Sequence, residues 1–143
     1  MIDYQKILNT NMLNVFKDVL KDIENNGLTG NNHLYITFLT SHKEVEVPSW
    51  LKERYPHEMT IVIQYEYYDL CVNQNNFSIT LSFNDIKENL QIGYNSVISF
   101  ADPLSNFGLV LKNYKEQKNN LQNKVKSKIN KNNIIDFSDF KKN

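Results

Sequence analysis

The sequence predicts an α+β fold, mainly β: an N-terminal helix packed on an antiparallel open barrel or sandwich, followed by a disordered C-terminal tail. Three observations predict it. Apolar residues recur at three- and four-residue spacing between Asp3 and Asn25. From His33 to Leu111, short runs of alternating apolar and polar residues follow one another at roughly 8–12-residue intervals, with turn residues between them. From Lys112 the alternation gives way to Lys and Asn. At 143 residues the chain has room for one domain with a real core and a tail. The expected division is a folded domain over 1–111, a basic linker over 112–133 and a terminal motif over 134–143.

In the helix, Ile7, Leu8, Met12, Val15, Phe16, Val19, Leu20 and Ile23 form the apolar stripe, with Lys17, Asp18, Lys21 and Asp22 largely off it. Asn25–Asn26–Gly27 stops it, glycine suiting the left-handed conformation that ends many helices. The stripe needs a cover, either the chain's own sheet or the same helix of a second copy. His33–Thr40 alternates Leu34, Ile36 and Phe38 with Tyr35, Thr37 and Leu39, a strand pattern rich in aromatic and β-branched residues. Between Pro48 and Pro56 there is room for about two helical turns. Trp50 and Tyr55, within that span, are expected to cap one end of the core.

The central strands are Met59–Tyr67 and Phe77–Phe83, with Asn73–Asn76 as turn residues between them. Leu70–Val72 reads as an extension of the first strand past a bend near Asp69. Read as one small sheet, they put Ile61, Ile63, Tyr65, Tyr67, Phe77, Ile79, Leu81 and Phe83 on a buried face. Gln64, Glu66, Ser78, Thr80 and Ser82 fall on the polar face, which is suited to docking. Asn84–Asp85 marks a further turn, and Asn89–Ile92, Val97–Ala101 and Phe107–Leu111 are the remaining strands.

The formal charge of zero conceals two opposite halves. Residues 1–111 carry seven bases and thirteen acids, a net of −6, and residues 112–143 carry nine lysines and three acids, a net of +6. The composition of 112–133 cannot bury enough apolar surface to offset its ordering entropy. Apolar residues then return in IIDFSDF, the signature of a short docking motif.

The four glycines spell neither a P-loop nor a dinucleotide fingerprint. His33, His42 and His57 show no metal-ligand spacing, and no metal or other cofactor is expected. Glu53 and Glu58 have no nucleophile or base beside them, so the expected protein is not an enzyme. The single cysteine, Cys71, rules out an internal disulfide framework and suits a reducing compartment; it reads as a small buried hydrophobe. With neither a signal peptide nor a membrane span in the sequence, the expected location is cytoplasmic. The lysine-rich tail raises one competing reading, a small Sm-like RNA-binding protein, against which the acidic body would repel a phosphate backbone.

The strings HLYITFLT, LKERYPHEMTIVIQYEYYDLCV and FSITLSFNDIKENLQIGYNSVISFADPLSNFGLVL resemble the SspB family, adaptors that deliver tagged substrates to the ClpXP protease. The likeness is strongest to the alphaproteobacterial branch and covers nearly all of residues 4–111. The closing IIDFSDFKK resembles the family's tail motif for the unfoldase ClpX. The resemblance implies a homodimer of small β-rich domains, related to open SH3-like or Sm-like barrels, each binding the ssrA tag in a groove. It implies peptide-binding roles for Gln64, Glu66, Tyr67 and Tyr68 on one strand and for Ser78, Thr80, Ser82 and Phe83 on the other. Ile134, Ile135, Phe137, Phe140, Lys141 and Lys142 would dock on ClpX. Other branches place arginine in the second strand where this chain has serine, which leaves the preferred tag sequence and orientation open. Delivery of this kind raises effective concentration, worth roughly 10²–10⁴ in avidity when the linker spans the gap.

Overall fold

The computed structural model describes residues 1–28, 30–64 and 66–111. Element α1 (Tyr4–Asn26) begins where the Asp3 side chain accepts a hydrogen bond from the Lys6 amide, and ends where the Gly27 amide donates to the Ile23 carbonyl. Gly27 has φ +74°, a conformation that strains any residue with a Cβ, so the stop is built from the residue type expected there.

Strand β1 (Leu34–Leu39) leads through the two-residue strand β2 (Val45–Glu46) and the short helix α2 (Ser49–Arg54) into β3 (Glu58–Ile63). Then follow β4 (Tyr68–Val72), β5 (Asn76–Phe83), β6 (Ile86–Gly93), β7 (Val97–Asp102) and β8 (Phe107–Val110), with 3₁₀ turns at Tyr94–Ser96 and Pro103–Ser105. They form two four-stranded antiparallel sheets, ordered β3-β1-β7-β8 and β2-β6-β5-β4. The fold is therefore mainly β, with the helix first, as the alternation indicates.

Both sheets and the helix share one core. Ile36, Phe38, Ile61 and Ile63 enter it from the first sheet, Phe77, Ile79, Leu81, Leu90 and Ile92 from the second, and Met12, Phe16, Leu20 and Ile23 from α1. Phe16 is the joint: its ring lies 5.8 Å from Phe77, 5.1 Å from Phe100 and 6.3 Å from Tyr94. Fully burying a side chain of this size contributes about 1.5–3 kcal/mol, and aromatic neighbours add to it. Thr40, buried among apolar groups, is satisfied by donating its hydroxyl to the Tyr55 carbonyl. Trp50 packs half-buried against the core edge, whereas Tyr55 is 40% exposed.

Met59–Tyr67 and Phe77–Phe83 do not share a sheet. The first ends at Ile63 and pairs with β1, from Leu34↔Ile63 to Leu39↔Glu58. Beyond Ile63 the chain passes to the second sheet, where Tyr68–Val72 is a strand in its own right and pairs with β5. Within β4, Asp69 takes φ +54° and the register against β5 shifts between Tyr68 and Cys71. Tyr65 lies outside the described residues. Cys71 is also corrected: it sits exposed on β4, its thiol donating to the Asn73 side chain.

The β5–β6 hairpin turns on Asn84 and Asp85, at φ +52° and +68°. A two-residue turn with both φ values positive matches the twist of the flanking strands, and Asn and Asp tolerate it. Its register runs unbroken from Phe83↔Ile86 to Asn76↔Gly93. At Gly93 a Cβ would stand 2.5 Å from the Glu44 Cβ, so glycine is what allows β2 to close on this end of β6.

Candidate functional site

The second sheet has two unlike faces. Inward-pointing Phe77, Ile79 and Leu81 on β5 are buried, while Ser78, Thr80 and Ser82 between them point outward. Cross-strand partners share a face, so the register extends the outer surface: Ser78 stands opposite Gln91 and Cys71, Thr80 opposite Asn89 and Tyr68, and Ser82 opposite Lys87. The result is a row of short hydroxyls flanked by amides. The Asn89 side-chain amide donates to the Thr80 hydroxyl at 3.0 Å. Lys87 holds its ammonium 4.2 Å from the centre of the Tyr68 ring, a cation–π contact that fixes an otherwise exposed aromatic.

At the hairpin end this surface meets a groove of about 320 Å³ between α2 and the β5–β6 turn. Trp50, Arg54, Tyr55, Ser82, Phe83 and Asn84 line it. Phe83 and Trp50 meet edge to face at 6.2 Å, and the indole N–H donates to the Glu88 carboxylate at 2.6 Å, locking the wall of the groove. Arg54, the chain's single arginine, is exposed at its rim and forms no ion pair among the described residues.

The eight expected peptide-binding residues therefore divide. Tyr68, Ser78, Thr80 and Ser82 lie together on the outer face, and Ser82 also reaches the groove with Phe83. Phe83 points to the inner side of β5, half-buried against the core. Gln64 and Glu66 sit in the crossing between the sheets instead of on the polar face of a strand, because β3 stops at Ile63. Tyr67 packs against the core, its hydroxyl 3.9 Å from where a Cβ on Gly27 would be. Ile134, Ile135, Phe137, Phe140, Lys141 and Lys142 lie outside the described residues.

Sequence reasoning missed Lys87 because the strand was expected to begin at Asn89, and Asn89 and Gln91 because no register against Phe77–Phe83 was assigned. A two-residue turn at Asn84–Asp85 fixes Phe83 opposite Ile86, and counting back two at a time reaches all three partners. It also missed Trp50, Arg54 and Tyr55 as groove residues, although an aromatic-rich segment between two prolines with the only arginine was a usable signal. No group of three or more His, Cys, Asp or Glu that could hold a metal is found among the described residues, and no described helix is long and apolar enough to cross a membrane.

These features define a small helix-and-sheet domain that offers a polar, aromatic-edged surface with a groove at one end, the form of a protein-binding module. Within that class the chain belongs to the stringent starvation protein B (SspB) family of adaptors: the family's profile matches residues 7–141, through the folded domain and nearly the whole basic segment. Comparison with curated proteins gives no significant match.

Proposed function

We propose that the protein is a cytoplasmic, homodimeric proteolysis adaptor that binds ssrA-tagged polypeptides on the outer face of the second sheet and tethers them to ClpX through residues 134–143. The observation that carries this reading is the extent of the family match, which includes the face, the basic segment and all but the last residue of the closing IIDFSDFKK. The chemistry of the face agrees with it. An extended peptide is held by main-chain and amide hydrogen bonds with pockets for alternate side chains. Ser78, Thr80, Asn89 and Gln91 supply donors and acceptors in a row, and the groove between Trp50, Arg54, Ser82 and Phe83 supplies a largely polar recess for one side chain at its end.

The exposed first half of α1 supports the dimer. Tyr4, Ile7 and Leu8 are 73%, 55% and 48% exposed, an apolar stripe that a second copy would cover.

Titration of a fluorescent ssrA peptide into the full chain tests the reading. Binding at micromolar or tighter affinity is expected, and removing Ile134–Asn143 leaves that affinity unchanged while abolishing the acceleration of degradation by ClpXP. Loss of tag binding on removal of the ten residues would assign the motif to the wrong role.

A further inference from the structure

The outward surface of the second sheet carries no acid along its two central strands. Residues 1–111 hold thirteen acids against seven bases, yet the outward residues of β5 and β6 are Ser78, Thr80, Ser82, Lys87, Asn89 and Gln91, one cation and no carboxylate. Of the acids on this hairpin, Asp85 lies in the turn, and Glu88 shares the inner side of β6 with Leu90 and accepts the Trp50 indole N–H. Lys87 has no carboxylate within ion-pair distance among the described residues, the single ion pair there being Lys21–Glu24.

Lys87 is also held in place. It starts from β6 opposite Ser82, and Tyr68 starts from β4 opposite Thr80, so the two residues flank β5 with their strands about 10 Å apart. The Lys87 ammonium nevertheless lies 4.2 Å from the centre of the Tyr68 ring, which requires the two side chains to meet above β5, over Thr80 and Ser82. The ring face thus holds the charge over the hydroxyls and lowers the entropy lost when a ligand fixes the lysine. Beneath it, the Thr80 hydroxyl accepts the Asn89 side-chain amide at 3.0 Å, which leaves its own hydrogen to donate. The exposed Ser82 hydroxyl stands beside it as a second donor. A positioned ammonium and two O–H donors on one side of a sheet, with no acid among them, are the complement of a carboxylate. Both hydroxyl side chains are short, which leaves the space that a carboxylate needs; longer ones would fill it.

We propose that Lys87, Thr80 and Ser82 form a subsite that reads an acidic side chain, Asp or Glu, in the extended peptide bound on this face. The inference rests on the tag-binding reading of the face and adds to it the chemistry preferred at one position. A C-terminal carboxylate is the other source of the same group, and the layout of the row argues for a side chain. The row continues past the subsite in both directions, to the α2 groove beyond Ser82 and to Ser78 and Gln91 on the other side, so the peptide runs through and presents a residue from its interior. The far edge has the opposite sign, for Glu46 pairs with Gln91 and shares its face. An acid is therefore favoured at Lys87 and disfavoured four residues along β6, about 13 Å away, which sets where along the face the acidic position lies.

Titration of three fluorescent peptides into the full chain tests it: the ssrA sequence with an amidated C-terminus, a copy with every Asp and Glu changed to its amide, and that copy with a free C-terminal carboxylate. The acidic peptide is expected to bind roughly fivefold or more tightly than the amide copy, and the free terminus is expected not to restore the difference. In Lys87→Gln the difference should vanish while affinity for the amide copy stays within about twofold of the parent's, whereas a merely structural role for Lys87 weakens both peptides alike. Lys87→Arg should keep most of the difference. So should Lys52→Gln, which removes the same charge from an exposed position on α2 that does not line the groove. Equal binding of the acidic and amide peptides to the parent chain overturns the subsite and leaves tag binding standing. A difference that persists in Lys87→Gln, or that Lys52→Gln abolishes equally, also overturns it, and so does recovery by the free terminus, which assigns the carboxylate to the peptide's end. Binding of none of the three overturns the tag reading itself, and this inference with it.

Discussion

Along β5, neighbouring residues occupy opposite environments. Phe77, Ile79 and Leu81 are 0%, 0% and 5% exposed, while Ser78, Thr80 and Ser82 point away from the core. One strand therefore does two jobs: the inner set specifies the fold, and the outer set, relieved of packing, can specify a ligand. The same division runs lengthwise through α1, whose later turns bury Met12, Phe16, Leu20 and Ile23 while its first turns expose Tyr4, Ile7 and Leu8. Where a face is buried, shape governs which residue fits. Where it is open, hydrogen-bonding capacity and charge govern.

The sharpest way to break this comparison is to truncate the inner set. Phe77→Ala removes a fully buried ring that contacts Phe16 and Tyr94, and should lower stability by about 3–5 kcal/mol in denaturant titration. A loss below about 1 kcal/mol would mean that the inner face of β5 does not carry the core. The outer set should behave in the opposite way. Thr80→Arg with Ser82→Arg should leave stability within about 0.5 kcal/mol, yet weaken binding of a fluorescent tag peptide tenfold or more, about 1.4 kcal/mol. If affinity is unchanged and folding intact, the tag does not use this face.

In α1, Ile7→Glu with Leu8→Glu puts two charges on the exposed stripe and leaves Phe16 and Leu20 in place. Light scattering should then show the proposed dimer weakened, its dissociation constant raised roughly tenfold or more over that of the parent chain. A dimer that survives both charges would move the interface away from this stripe.

How far the sequence carried this picture follows from the same contrast. Period-2 alternation made β1 and β5 legible, and the Asn84–Asp85 pair made the turn that follows β5 legible, because local backbone chemistry and burial agree there. The change of sheet between β3 and β4 was not legible. Residues 64–72, QYEYYDLCV, continue a polar–aromatic texture through the crossing, and only the pairing of β3 with β1, a contact between distant segments, ends the strand at Ile63. Hence Gln64 and Glu66 were assigned to a face they do not share, while Ser78, Thr80 and Ser82 were assigned correctly by alternation within one strand. Cys71 was misplaced for a related reason, since β4 is an edge strand whose alternation is interrupted at Asp69. The α2 groove was missed because it joins residues some thirty positions apart.

The finest test lies where the inner and outer surfaces meet, at Tyr94. Its ring is buried against Phe16 and Phe77, while its hydroxyl reaches out to donate to the Asn73 carbonyl at 2.6 Å, pinning the β4–β5 turn. Burial, and after it the charges of Glu24 and Cys71, push its pKa from 10.0 to about 12. A raised value means that the fold favours the protonated phenol. The stabilising contribution is therefore complete below the unfolded value near 10 and is lost as pH climbs through about 12, because the unfolded chain gives up this proton first. Tyr94→Phe keeps the ring and removes the donor, so it should cost about 1 kcal/mol at neutral pH. It should also remove this group's share of the alkaline decline in stability, measured by denaturant titration between pH 10 and 12. If the parent and the variant decline in parallel over that interval, the hydroxyl is not held by the fold, and the turn is held by the Asn73–Asn76 hydrogen bonds and by the Tyr94 amide, which donates to the Asn75 carbonyl.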